Sequence, residues 1–300
     1  MKYRILGATG LSVSVVGMGT WQLGGEWGRD FTAPEVGSIF DAARLAGITL
    51  IDTAECYGDH LSERLVGAAI RHDRDRWIVA TKFGHRYTGL GLREQLWSTA
   101  DVRKQLEDSL RALAIDAIDL YQFHSGTSEV FDNEELWTML AAQKKAGRIR
   151  HLGISVGGAI GPEARMYQAR RAKEVGAGCL QVVYNRLDRW AEESLLPHSG
   201  QAGLGFLARV PLASGFLSGR YGEDTRFAKS DHRSGKKAEE IASLAREAAR
   251  IQREEVPAGV PMAAWALAWC LERPGVTAVI PGCKDPRQVA QNAAAADLLD

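Results

Sequence analysis

The sequence contains few cysteines, and no two of them form a motif. Cys56, Cys179, Cys270 and Cys283 are widely separated along the chain and show no CxxC spacing. Zinc sites and disulfide frameworks are built from clustered cysteines, so we expect neither, and no metal. Cys56 stands beside a tyrosine and is either an oxidisable thiol or, more simply, a small residue that fills space.

Long hydrophobic runs and an excess of charge of one sign are also missing. The most apolar late stretch, 260–271, contains a proline and is too short to span a bilayer, and residues 1–7 include no long apolar signal region. Lys plus Arg and Asp plus Glu each number 37, so the formal net charge is zero. Nothing global therefore favours nucleic acid or a membrane as a partner, and we expect a cytoplasmic protein. The sequence does not indicate an oligomeric state.

Strand and helix patterns alternate along most of the chain. After a hairpin predicted from residues 2–6 and 12–16, we count eight units of a strand followed by a helix. Such units predict parallel strands covered by helices, and eight of them in 300 residues fit a (β/α)8 TIM barrel. A doubly wound open sheet is the rival fold, but the GxGxxG of its nucleotide-binding turn is missing. We therefore predict one α/β domain over 1–300, a single (β/α)8 barrel with an N-terminal β-hairpin.

Residue types also predict where some helices and loops begin. Ser62 and Thr99 each precede an apolar helical stripe and are predicted to cap a helix. Residues 83–98, rich in glycine and aromatic residues, are predicted to form a loop. The long polar segment 210–236 is predicted to be an active-site loop.

Polar residues end several of the predicted strands. Asp52 ends the second strand, Lys82 the third and His124 the fourth, and Tyr57 follows Asp52 in the next loop. In a barrel the functional groups lie at the carboxyl ends of the strands and in the loops just after them. We therefore expect these four side chains to meet in one pocket.

The four side chains suit proton transfer to or from an oxygen atom. A phenol ordinarily has a pKa of about 10, and a nearby ammonium group such as Lys82 lowers it. Asp52 would hold Lys82 in place, and His124 would orient a carbonyl oxygen beside Tyr57 or relay a proton. Taken singly, the Asp–Lys pair is more often a structural ion pair and the tyrosine a packing residue. Their joint placement at strand ends favours the catalytic interpretation.

The same residues belong to a set of motifs in a fixed order. Five separated segments carry it: Gly19-Thr20-Trp21, Asp52-Thr53-Ala54-Glu55-Cys56-Tyr57-Gly58, Thr81-Lys82, Gln122-Phe123-His124, and Ile280-Pro281-Gly282 with Gln288 and Asn292. Over essentially its whole length the sequence resembles the aldo-keto reductase superfamily, most closely its bacterial and potassium-channel β-subunit-like branches. The resemblance implies reduction of a carbonyl with NADP(H), or possible use of NAD(H), without a Rossmann domain. Tyr57 would be the general acid, with Lys82 and Asp52 tuning it and His124 orienting the substrate.

The resemblance also implies a set of cofactor contacts. The first cofactor loop and the strand end beside it would contribute Gly19, Thr20, Trp21 and Asp52; Ser155 and Gln181 would bind the carboxamide; Pro211, Leu212, Ser214, Gly215 and Leu217, with Arg220 nearby, would line the pyrophosphate; Gly282, Lys284, Gln288 and Asn292 would bind the adenosine end. Independently of the family, the start of the helix 286–296 offers backbone N–H groups to a phosphate, and Lys284 and Arg287 add positive charge there.

The sequence departs from the family pattern at two positions. Many relatives have Asn where this chain has Val156, and many have a nicotinamide-stacking aromatic residue where this chain has Arg209-Val210. A guanidinium plane can stack on a ring, although it does not reproduce a neutral aromatic face.

Three functions fit these observations. The first is a reductase of small aldehydes or ketones, and the second is an aldose (sugar) 1-dehydrogenase that uses NAD or NADP. The third is a redox-sensing binding subunit, since the channel subunits can retain the same four residues. The substrate, a small carbonyl compound or a sugar, would be selected mainly by the loops 22–32, 83–98 and 210–236.

Overall fold

A computed structural model describes residues 1–157 and 160–299. Its strands are β1 (Tyr3–Ile5), β2 (Ser12–Ser14), β3 (Met18–Gly19), β4 (Leu50–Asp52), β5 (Ile78–Phe83), β6 (His85–Gly89), β7 (Leu92–Gln95), β8 (Ile118–His124), β9 (Ile149–Ser155), β10 (Ala177–Val183), β11 (Gly205–Arg209) and β12 (Ala278–Val279). Its helices are α1 (Ala33–Leu45), α2 (Leu61–Ile70), α3 (Thr99–Leu113), α4 (Ser128–Phe131), α5 (Glu134–Lys145), α6 (Pro162–Arg171), α7 (Leu195–Gln201), α8 (Ala238–Glu254), α9 (Met262–Leu271) and α10 (Pro286–Ala293).

Eight parallel strands form the central sheet, in the order β3-β4-β5-β8-β9-β10-β11-β12. The two outer strands also meet, because parallel bridges join Val16 to Val279 and Gly19 to Gly282. Backbone hydrogen bonds from Gly17 to Val279 and from Val279 to Val15 run along the same seam. The sheet therefore closes into the predicted (β/α)8 barrel.

The N-terminal hairpin closes one end of the barrel. Strands β1 and β2 pair antiparallel, as predicted, although they are shorter than the predicted runs. Leu6, between these strands, is fully buried among barrel residues such as Leu50, Leu120 and Leu207. The carboxyl ends of the strands, where the candidate residues lie, are at the opposite end of the barrel.

Two predicted helix caps are wrong. Helix α3 is capped by Ser98, one residue before Thr99, and the Ser98 side chain accepts a hydrogen bond from the backbone N–H of Asp101. Helix α2 begins after His60, which has φ of 63° and caps no N–H with its side chain. Ser62 is instead fully buried and donates to the backbone carbonyl of Thr20 at 2.9 Å. This hydrogen bond therefore ties α2 to the loop that follows β3.

The predicted irregular loop 83–98 is also wrong, because much of it forms the antiparallel hairpin β6–β7. Its side chains alternate between half-buried and exposed over β6, which is the period of a strand that covers a surface. Glycines with positive φ at the turn, Gly89 and Gly91, interrupt the alternating pattern, so the sequence did not predict the hairpin. The loop 210–236 contains only two short 3-10 turns, Ala213–Ser218 and His232–Gly235.

The most apolar helix of the chain, α9, is only ten residues long and packs against the barrel. Within the described ranges, no helix combines the length and the apolar character that a bilayer crossing requires.

Candidate active site

The four predicted catalytic residues lie together at the carboxyl ends of β4, β5 and β8. Lys82 is fully buried, and its Nζ donates to Asp52 Oδ2 at 2.8 Å and to Tyr57 Oη at 3.2 Å. A third bond from the same nitrogen reaches the backbone carbonyl of Thr53 at 2.6 Å. The ammonium group is therefore fixed between the carboxylate and the phenol.

His124 ends β8 and faces the phenol from the side. The ring of Tyr57 and the ring of His124 are 6.4 Å apart and nearly perpendicular. Both side chains line the same cavity, whereas Lys82 lies behind Tyr57 and does not. A small molecule in the cavity can thus touch the phenol and the imidazole at once.

Close backbone packing holds Tyr57 in place. Gly58 has φ of +65°, a conformation that favours glycine, and a Cβ atom there would lie 2.4 Å from the carbonyl oxygen of Gly24. Trp21 stacks on Tyr57 with ring centroids 5.9 Å apart. The loop after β3 and the loop after β4 therefore fix the phenol jointly.

Burial and the Lys82 ammonium group shift the pKa of Tyr57 in opposite directions. Burial raises the pKa of Tyr57 to about 12, and the Lys82 ammonium opposes this rise without reversing it. Burial alone would lower the pKa of Lys82, but Asp52 and Tyr57 outweigh it and raise the pKa above its usual value. The resting site therefore holds a protonated phenol beside a charged ammonium group. Lys82 acts in the predicted direction, but burial outweighs its effect, so the net shift of the Tyr57 pKa is upward.

Asp52 has partners for both of its carboxylate oxygens. Besides the ammonium group on Oδ2, its Oδ1 accepts from Gln181 Nε2 at 2.6 Å and from Gln122 Nε2 at 3.2 Å. Ser155 Oγ lies 3.3 Å from Gln181 Oε1. Asp52 therefore positions Lys82 and ties it to residues expected at the carboxamide.

A cavity of about 900 Å³ opens at this end of the barrel. Besides Tyr57 and His124, the predicted residues that line it are Gly19, Thr20, Trp21, Asp52, Gln181, Pro211, Leu212, Ser214, Gly215, Arg220, Gly282, Lys284, Gln288 and Asn292. Ser155 is buried behind Gln181. Leu217 belongs to a separate apolar cluster with Ile251 and Met262. The cavity is large enough for a cofactor and a small substrate.

Side chains of the protein already bond to some of the backbone N–H groups at the start of α10. Asp285 caps the helix by accepting from the backbone N–H of Gln288, and Gln288 Oε1 accepts from the backbone N–H of Lys284. Lys284 Nζ donates to the carbonyl of Trp27 at 2.6 Å, so it lies over the cavity. Arg287 is exposed and does not line the cavity. Positive charge at this end comes from Lys284 rather than from Arg287.

The sequence pattern missed two ion pairs, in each of which an arginine that lines the cavity bonds to a buried carboxylate. Arg233 pairs with Asp231 at 2.6 Å and lowers the pKa of Lys284, after the larger effect of burial, so the two cations lie near each other. Arg93 of the β6–β7 hairpin pairs with Glu26 at 2.5 Å. Asp231 and Arg233 lie in an irregular loop, and Arg93 and Glu26 are 67 residues apart in the sequence, so no spacing signalled either pair.

Polar atoms without a partner are concentrated around the cavity. Among the described residues with a buried, unpaired side-chain atom are Gln22 Oε1, Trp27 Nε1 and Arg209 Nε, all from residues that line the cavity. Buried polar groups ordinarily have a partner. These atoms therefore fit a polar ligand in the cavity.

One group of potential metal ligands occurs in the part of the chain that the structure describes. The ligand atoms of Glu55, Cys56 and His124 lie within 4.8 Å of one another. Burial lowers the pKa of His124 well below its usual range, and nearby cations, including Lys82, lower it further. The same positive potential opposes the binding of a divalent cation at this cluster.

Comparisons with known proteins agree with this geometry. The model of the Aldo/keto reductase family matches residues 15–299. The chain is 32% identical over 301 residues to the uncharacterized oxidoreductase YqkF of Bacillus subtilis (strain 168), a match that covers 99% of this chain and 92% of that protein. It is 29% identical over 310 residues to a probable voltage-gated potassium channel subunit beta of Oryza sativa subsp. japonica, covering 100% of this chain and 92% of that protein. Aldo-keto reductase AKR11C1 from Bacillus halodurans, in its holo form, superposes with a TM-score of 0.80 at 31% identity, covering 99% of this chain and 91% of that one.

Proposed function

The chain belongs to the aldo/keto reductase family of oxidoreductases, and we propose that it reduces a small aldehyde or ketone to an alcohol with NADPH. The observation that carries this proposal is the chain of contacts from Asp52 through Lys82 to Tyr57, which ends at a cavity that His124 also lines. A protonated phenol at the wall of a large cavity is suited to give a proton to a bound oxygen atom.

The proposed chemistry assigns one role to each of the four residues. The nicotinamide would supply the hydride that reduces the carbonyl carbon. Tyr57 Oη gives its proton to the carbonyl oxygen as that oxygen gains negative charge, and the high pKa keeps the phenol protonated beforehand. Lys82 stabilises the phenolate that remains, and Asp52 holds Lys82. His124 binds the carbonyl oxygen from the other side.

Three features of the cavity favour NADP(H) as the cofactor. Backbone conformations with positive φ at Val210, Ala213, Ser214 and Gly215 form the kind of concavity whose N–H groups bind phosphate oxygens. Gln181 lies at the catalytic end, where the carboxamide would bind. Lys284 and Arg233 place two cations at the far end, where the 2′-phosphate of NADP would be bound.

The test is a panel of aldehydes, ketones, aldoses and alcohols, assayed in both directions with both nicotinamide cofactors by absorbance. We expect carbonyl reduction with NADPH to be the fastest reaction. Oxidation of aldoses alone would instead support the hypothesis of an aldose dehydrogenase. No turnover with any compound, together with tight cofactor binding, would support a binding subunit and overturn the proposal.

A further inference from the structure

Two side chains face the Nδ1 atom of His124. The other ring nitrogen, Nε2, is the one that would contact the substrate. Cys56 Sγ lies 3.8 Å from Nδ1, and Glu55 Oε2 lies 4.0 Å from it. Glu55 is 2% exposed, and its Oε1 accepts from the backbone N–H of His85 at 2.9 Å. Its Oε2 is buried and has no hydrogen-bond partner among the residues that the structure describes. His124 Nδ1 is therefore a group with which this oxygen can share a proton.

His124 is neutral at ordinary pH, so its ring carries a single N–H. Burial and the neighbouring positive charges, Lys82 first among them, hold its pKa well below the usual range. In a neutral imidazole one nitrogen donates and the other accepts, and the partner of one nitrogen decides the role of the other. The groups that face Nδ1 therefore determine what Nε2 can offer to a ligand in the cavity.

Cys56 and protonated Glu55 favour the same arrangement. Burial, and then the charge of Glu55, raises the pKa of the Cys56 thiol, which stays protonated and can donate weakly through S–H. A protonated Glu55 can donate as well. Both groups make Nδ1 the acceptor, which leaves the N–H on Nε2. An ionised Glu55 can only accept, so it favours the tautomer with the N–H on Nδ1.

We propose that Glu55 is a positioning residue that selects the tautomer of His124, and so determines whether Nε2 donates to a carbonyl oxygen or accepts from an alcohol hydroxyl. The substrate consequence rests on the proposed function, whereas the tautomer change itself does not. Protonated Glu55 prepares the site for carbonyl reduction. Ionised Glu55 prepares it for binding of the alcohol.

The surroundings of Glu55 place this change in an accessible range of pH. Burial raises the pKa of Glu55 to about 7, opposed by the bond from His85 and raised further by Glu63. The titratable and charged groups that face it from the neighbouring elements are His60 and Glu63 of α2 and its cap, Lys82 of β5, His85 of β6, Tyr121 and His124 of β8, and the adjacent Cys56. Lys82 is the one cation among them that stabilises the carboxylate directly, which limits the rise.

The direct test is ¹⁵N NMR of the histidine side chains in the unmodified protein, with the His124 signals assigned by their loss in His124→Gln. Between about pH 6 and about pH 8, on either side of the Glu55 transition, we expect the protonated nitrogen to change from Nε2 to Nδ1. A His124 that keeps one tautomer across this range overturns the proposal. This measurement needs no turnover, so it stands even where the proposed reaction fails.

Two variants separate Glu55 from its surroundings. Glu55→Gln keeps the shape and the bond from His85 but cannot ionise, so the N–H should stay on Nε2 at every pH. Glu63→Gln is the matched control, because Glu63 is also buried but bonds to Thr81 and His60 instead of facing His124. It should keep the tautomer change but move it to lower pH, since a neighbouring negative charge is lost. A pH-dependent tautomer in Glu55→Gln would contradict the proposal.

Kinetics then test the consequence for the substrate. In the unmodified enzyme we expect the KM for a carbonyl to rise about five- to tenfold across the transition and the KM for the alcohol to fall, the effect of one hydrogen bond. Glu55→Gln should show neither change in KM across this pH range. In the unmodified enzyme, kcat should change much less than KM across the transition. If the tautomer changes while both KM values stay constant, His124 does not bind the substrate oxygen, and the positioning role is refuted. If no carbonyl or alcohol turns over at all, the proposed function fails and the tautomer result remains.

Discussion

Arg209 Nη2 donates a hydrogen bond to the backbone carbonyl of Val156 at 3.1 Å. These are the two positions at which the sequence departs from the family pattern, and the structure joins them in one contact. The guanidinium lines the cavity and its Nε has no partner among the described residues. A cation thus lines the cavity where the resemblance implies a neutral aromatic face.

This cation should discriminate between the two redox states of the cofactor. The oxidised nicotinamide ring is positively charged and the reduced ring is neutral, so Arg209 should weaken binding of NADP⁺ relative to NADPH. In Arg209→Met we expect the ratio of the two dissociation constants to move toward unity by roughly tenfold, since close like charges repel by a few kcal/mol before screening. Fluorescence titration with each cofactor measures both constants. Arg209→Lys, which keeps the charge, should keep the ratio, and a ratio unchanged in Arg209→Met would exclude the effect.

Tyr57→Phe should abolish most turnover and leave cofactor binding intact. Only the proton donor is removed, and general acid catalysis is worth on the order of 10²-fold or more in rate. Steady-state kinetics and cofactor titration on the same preparation give both quantities. Tyr121→Phe is the matched control, because it removes a buried hydroxyl that has no partner among the described residues and does not line the cavity. A Tyr57→Phe enzyme with the wild-type kcat would remove Tyr57 from the mechanism.

Lys284→Ala should narrow the preference for NADPH over NADH. The Lys284 side chain lies over the cavity near Arg233, so it can pair with a 2′-phosphate, and we expect a loss of roughly tenfold in NADPH affinity with little change for NADH. Isothermal titration with both cofactors measures the gap. Arg287→Ala, at an exposed position outside the cavity, should leave the gap unchanged. Equal affinity of the unmodified protein for both cofactors would contradict the assignment.

Glu55 should make the free energy of unfolding depend on pH. Its pKa rises from an ordinary 4.5 to about 7 in the folded protein, so between these values the folded state keeps a proton that the unfolded state has lost. The stabilisation is therefore complete below about pH 4.5 and is lost as pH rises through about 7. We expect a loss of about 3 kcal/mol relative to Glu55→Gln between about pH 4 and pH 8. Urea unfolding of both proteins at each pH tests this, and a constant difference would show that Glu55 is not buried as a titrating acid.

The meeting of the candidate catalytic residues in one place could be predicted because it depends on one periodic feature. Asp52 and His124 end buried strands, and Lys82 lies one residue before the end of its strand. In a parallel barrel all such ends meet at the same rim. The barrel was predicted by counting strand–helix units, and this count requires no knowledge of tertiary contacts.

The features that the sequence pattern missed depend on contacts between distant loops. The pair Arg93–Glu26 joins the hairpin to the first loop, and only the folded chain brings them together. The net shift of the Tyr57 pKa could not be predicted for a related reason. The charge of Lys82 is readable from position, but the degree of burial that outweighs it is set by packing from Trp21 and the loops above.

The last prediction concerns Lys82, whose ammonium group bonds to Asp52, Tyr57 and the Thr53 carbonyl. If it only braces the barrel, Lys82→Met should lower stability and leave the activity of the folded fraction near normal. If it stabilises the Tyr57 phenolate, the same change should leave a folded, cofactor-binding protein that barely turns over, because transfer of the proton then leaves an unpaired negative charge.

The single change has a second effect that must be removed. It leaves the buried Asp52 carboxylate without its cation, which can cost several kcal/mol, although both glutamine donors to Oδ1 remain. The double change Asp52→Asn with Lys82→Met takes away that charge, and the Asn carbonyl can still accept from Gln181. We expect the double variant to recover most of the lost melting temperature and none of the lost kcat. Both quantities are measured in one buffer, and a stable double variant with near-wild-type turnover would eliminate the role of Lys82 in proton transfer. Recovery of stability without activity instead separates the two functions of this ammonium group, since the same atom that neutralises Asp52 in the resting protein must also stabilise the phenolate during the reaction.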